Sequence, residues 1–69
     1  MIQEKTHDGR TVYVQPKQVG TRHWDATWSV SGGLSGHLGE LAPSEGCAVD
    51  EAFSLARRAI DEERTRADG

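Results

Sequence analysis

The chain is poor in cysteine and proline, and it has no long apolar run. Cys47 is the single cysteine among 69 residues, which excludes the intramolecular disulfides on which small exported domains commonly rely. No apolar stretch approaches the roughly 20 residues that a membrane-spanning helix needs. Met1-Ile2-Gln3-Glu4-Lys5 lacks the apolar stretch of a signal peptide, so a cytoplasmic location without membrane association is expected. An excess of positive charge is missing too. The formal net charge is −3, and the arginines between residues 57 and 66 are interleaved with acids. Nucleic-acid binding ordinarily leaves a basic footprint, so this balance disfavours it.

What is present is a pattern. A chain of this length forms one domain, 1–69, and buries only about 60% of the surface exposed by its unfolded state, so a thin core is expected. Asp8-Gly9 is a turn signal, followed by Arg10-Thr11-Val12-Tyr13-Val14-Gln15, a β-branched and aromatic run that Pro16 is expected to stop. Residues 16–22 read as a loop. Trp24, Ala26, Trp28 and Val30 then alternate with His23, Asp25, Thr27 and Ser29, the period of a strand with one buried and one wet face. Such a strand belongs in an antiparallel sheet covered on one side.

The connection after Val30 has a length that facing pairs decide. A two-residue Gly32-Gly33 turn sets Val30 against Ser35 and Trp28 against His37, placing polar side chains on the core face. A three-residue Ser31-Gly32-Gly33 loop sets Val30 against Leu34, Trp28 against Gly36 and Ala26 against Leu38. Facing residues share one side of the sheet, so the three-residue loop is expected, with Gly33 in a left-handed conformation and Gly36 making room for the indole. Leu41 is out of phase, so the last strand should bulge or end near Gly39. Trp24 is then expected opposite Glu40.

From about Ala48 to Arg64, Val49, Ala52, Phe53, Ala56 and Ile60 recur on one face of a helix, widened on one flank by Ala48, Leu55 and Ala59. Its N-cap is not evident, because Cys47 stands where Ser or Asp is preferred. Only Ile2 among residues 2–6 favours a further edge strand across Asp8-Gly9. The expected architecture is therefore α+β and two-layered: a three-stranded antiparallel meander, β-β-β-α, with its C-terminal amphipathic helix on one face and with 1–9 and 66–69 frayed.

Tyr13-Val14-Gln15-Pro16, His23 to Val30 with its tryptophans, and Asp50-Glu51-Ala52 leading into Ala56-Arg57 resemble a broad group of small bacterial domains of unknown function. The resemblance implies a fold and no activity. The strand order is also similar to the core of double-stranded-RNA-binding domains and to the N-terminal part of HicB-type antitoxins, which implies a nucleic-acid-associated regulator as the alternative function. The sequence departs from both: Asp50-Glu51 stand where an RNA-binding helix is basic, and there is no room for an added DNA-binding segment.

No catalytic constellation is evident. His7, His23, His37 and Cys47 lack the close spacing of a structural zinc site, and His23 and His37 are assigned to opposite faces of the sheet. Cys47 is read as an ordinary thiol, Ser31 to Gly36 as a hairpin loop, and Glu40, Glu45, Asp50 and Glu51 as solvated acids. The expected function is a non-enzymatic protein-interaction module or homodimer, with no cofactor or metal. Trp24, Tyr13 and Leu55 are the candidate contact residues: tryptophan and tyrosine are common interface anchors, and Leu55 flanks the helix's apolar stripe.

Overall fold

In the computed structural model, residues 2–68 are described. They form strands β1 (Gln3–His7), β2 (Arg10–Val19), β3 (His23–Val30) and β4 (Ser35–His37), and helix α1 (Glu45–Asp68). The sheet is an antiparallel meander in the order β1-β2-β3-β4, and α1 covers one face.

The sheet therefore has four strands rather than three. The extra strand lies in the segment expected to fray. Asp8 and Gly9 both adopt positive φ, 54° and 77°, the conformation of a tight two-residue hairpin turn, and β1 folds back so that His7 faces Arg10 and Gln3 faces Val14. Its polar composition does not oppose this, because the ladder is held by backbone groups. At the other end, Arg66 is helical rather than frayed. The fraying expected of Met1 and Gly69 lies outside the described residues.

Pro16 does not end β2, which runs on to Val19. Leu38 N–H donates to Ala26 O at 3.2 Å, so Ala26 directs its backbone groups toward the β4 side. Pro16 faces Ala26 at a pair that exchanges no hydrogen bonds. The proline nitrogen therefore points to the other side of β2, beyond Gln3, and no bond to β3 is lost.

The β3–β4 hairpin has the expected three-residue loop. Trp28 faces Gly36, Val30 N–H donates to Leu34 O at 2.8 Å, and Gly33 has φ 114°. A Cβ on Gly36 would lie 2.6 Å from the Trp28 ring, so the glycine is what lets the indole lie across β4. Beyond Leu38 the chain bulges by two residues, and Trp24 exchanges backbone hydrogen bonds with Ala42 in both directions at 2.8 Å. Trp24 thus stands opposite Ala42, not Glu40. At the bulge, Asp25 Oδ1 accepts from Ala26 N–H at 2.8 Å.

The helix begins one turn earlier than its apolar stripe suggests. Ser44 is its N-cap: Ser44 Oγ accepts from Cys47 N–H at 3.2 Å, and Ser44 O from Ala48 N–H at 3.0 Å. Glu45 places an acid in the first turn, which suits the helix dipole. Val12, Val14, Ala26, Val30, Leu38 and Ala42 on the sheet side meet Ala48, Ala52, Phe53, Ala56 and Ile60 on the helix. Trp24, Trp28 and Val49, expected within the core, are only partly buried against it.

Two substitutions test this packing. Gly36→Ala should displace the Trp28 ring and destabilise by about 1–3 kcal/mol, read by denaturant unfolding together with a changed tryptophan emission; an unchanged midpoint would contradict the contact. Ser44→Ala should cost about 1 kcal/mol, whereas Cys47→Ala should cost less, if the cap is Ser44.

Candidate binding surface at the outer strand

The backbone direction along β1 follows from the register. Ala26 points its polar groups toward β4, so the odd residues of β3 serve β2, the even residues of β2 serve β1, and Gln3, Lys5 and His7 of β1 bond back to β2. Glu4 and Thr6 are left with N–H and C=O directed away from the sheet.

Side chains divide by the same parity. Glu4 and Thr6 lie on the open face. Gln3, Lys5 and His7 lie on the helix side, where β1 overhangs the flank of α1. Two ion pairs and one histidine–carboxylate contact hold the β1–β2 hairpin to the helix. His7 Nε2 lies 3.0 Å from Asp61 Oδ1, Arg10 Nη1 donates to Glu63 Oε2 at 2.9 Å, and Arg64 Nη1 donates to Asp8 Oδ1 at 3.2 Å. Arg10 is the most sheltered of these side chains and does the most: its Nε and Nη2 also donate to Ser31 O at 3.0 and 2.8 Å. One guanidinium thereby ties β2, the β3–β4 loop and α1 together. It passes so close to Gly32 that a Cβ there would meet Nη2 at 2.5 Å.

Between β1 and α1 runs a groove of about 210 Å³, lined by Lys5, Thr6, His7, Val12, Asp50, Phe53, Ser54 and Arg57. Val12 and Phe53 supply its apolar floor. The Lys5 ammonium stands 4.8 Å from the Phe53 ring centroid, a cation–π distance. Arg57 Nη2 donates to Ser54 Oγ at 3.3 Å. Among the described residues, neither Lys5 nor Arg57 has a carboxylate within ion-pair distance, so two cations at this groove have no fixed counter-charge.

The sequence-derived candidates do not converge. Tyr13 is exposed on the open face between Glu4 and Ser29. Trp24 is on the helix side at the far end of the sheet, and Leu55 is half-buried on the helix flank. His37 faces Thr27, which sets it on the same open face as His23 rather than the opposite one. The described residues contain no group of three or more His, Cys, Asp or Glu side chains arranged to hold a metal ion. Cys47 is exposed. No described helix is long and apolar enough to cross a membrane.

Sequence reasoning passed over Lys5, Ser54 and Arg57. The available signal was the every-second-residue placement of Gln3, Lys5 and His7 before an Asp-Gly turn. Comparison with known proteins finds no family model, curated protein or solved structure that matches the chain.

Arg10→Lys should destabilise by about 1–2 kcal/mol in denaturant melts, since an ammonium cannot reproduce the fork that reaches Ser31 O and Glu63 together. Full stability in this variant would show that the three-way tie is dispensable.

Proposed function

We propose that this chain is a non-enzymatic protein-interaction module that receives its partner along the β1 edge. The observation that carries this reading is the unpaired backbone of Glu4 and Thr6, on an outer strand with a groove beside it. An exposed edge offers main-chain hydrogen bonds to an added strand, and an adjacent groove offers selectivity among its alternate side chains. Tyr13, on the neighbouring open face, would border a strand added at this edge. Trp24 and Leu55 lie away from it and take no part in this reading.

The nucleic-acid alternative gains less from the geometry. Arg10 and Arg64 are engaged with Glu63 and Asp8, and the helix start carries Glu45, Asp50 and Glu51. The cations left over are scattered among acids rather than gathered into a stripe along which a phosphate backbone could lie.

Panning a random peptide library against the immobilised domain tests the proposal. Enriched peptides should bind the wild type and lose binding to Thr6→Pro. That change removes one outward N–H without breaking a bond to β2, and circular dichroism checks that the fold persists. Trp24→Phe should leave binding intact. Absence of enrichment, or equal binding to Thr6→Pro, would count against the edge.

A further inference from the structure

Given the β1 edge as the docking site, we infer that its occupant is an extended peptide with an acidic side chain opposite Lys5, and not a second copy of this chain. The inference rests on the edge reading above and adds the chemistry of the partner.

A strand added antiparallel to β1 makes its hydrogen-bonded pairs at Glu4 and Thr6, whose polar groups point outward. The incoming residue between those pairs faces Lys5. Facing residues share one side of the sheet, so its side chain lies on the helix side, at the mouth of the groove. Lys5 and Arg57 line that groove together with the Ser54 hydroxyl, and both cations lack an ion-pair partner among the described residues. A carboxylate at this position meets two cations and a hydroxyl donor. Asp50, also on the lining, repels a carboxylate but leaves the cations in excess. His7 is already occupied by Asp61. A lysine at the incoming position would face Lys5 directly.

The same rule argues against self-pairing. Laying a second β1 on this edge with Glu4 against Thr6 puts Lys5 of one copy opposite Lys5 of the other. Sliding the register by two residues one way puts Glu4 opposite Glu4; the other way sets Lys5 against His7, whose ring Asp61 already engages, and so offers Lys5 no carboxylate. Like charges directly opposite one another are unfavourable, and an inward-pointing lysine on an edge strand is a known guard against edge-to-edge association. The feature that discourages another copy is the one that selects an acidic strand.

The test uses three capped nine-residue, threonine-rich peptides, identical except for Glu, Gln or Lys at the central position. Each is titrated into the ¹⁵N-labelled full chain. The Glu peptide should shift the Glu4 and Thr6 amides and bind about tenfold more tightly than the Lys peptide, with Gln between them. Lys5→Glu should reverse the order, and Arg57→Gln should weaken the Glu peptide selectively. If Lys5→Glu unfolds, the Arg57 variant decides. Three equal affinities, all with shifts at Glu4 and Thr6, would overturn the acidic preference while leaving the edge reading in place. Peptides that bind without shifting those amides, or not at all, would overturn strand addition itself.

Discussion

The structure depends on how closely α1 can approach the sheet. Ala48, Ala52 and Ala56 recur at every fourth position and are fully buried, so the helix turns its shortest side chains toward β2 and β3. Val12, Val14 and Ala26 receive them from the sheet side. Small against small brings the two layers together, with Phe53 and Ile60 completing the core from the helix and the partly buried Trp24 and Trp28 of β3 packed against it. A domain of this size has little apolar area to bury, and close approach lets a thin core exclude water without many bulky residues.

That close approach also fixes what happens at the edges. The helix lies over β2 and β3, so β1 overhangs it. Positions that would be apolar in a central strand are Gln3, Lys5 and His7: the Lys5 ammonium stands over the Phe53 ring, and His7 meets Asp61. The two ion pairs and the His7–Asp61 contact are mostly exposed, and exposed pairs contribute little stability individually. The opposite edge is managed differently. Strand β4 is three residues long and breaks into a bulge, so it presents little ladder for another chain.

The proposed binding edge and the packed core use different parts of this chain. The alanine seam and the Trp28–Gly36 contact carry packing, whereas the free backbone of Glu4 and Thr6 and the cations Lys5 and Arg57 lie outside it. Substitution of Lys5 or Arg57 should therefore leave the helix seated on β2 and β3.

The amino-acid sequence by itself determined the α+β class, the face of β3 that is buried, the three-residue hairpin and the helix stripe, because each is a periodic or nearest-neighbour property. Gly36 opposite Trp28 was legible for that reason. Tertiary structure alone decided the rest. Strand β1 carries almost no apolar signal, and backbone ladders form without regard to side-chain polarity. Pro16 is tolerated because its nitrogen points away from β3, where its ladder partner lies, which only the register reveals. Trp24 meets Ala42 because a two-residue bulge shifts the pairing. The groove joins Lys5 to Arg57 from opposite ends of the chain, and no local pattern encodes a meeting that depends on where the helix comes to rest on the sheet.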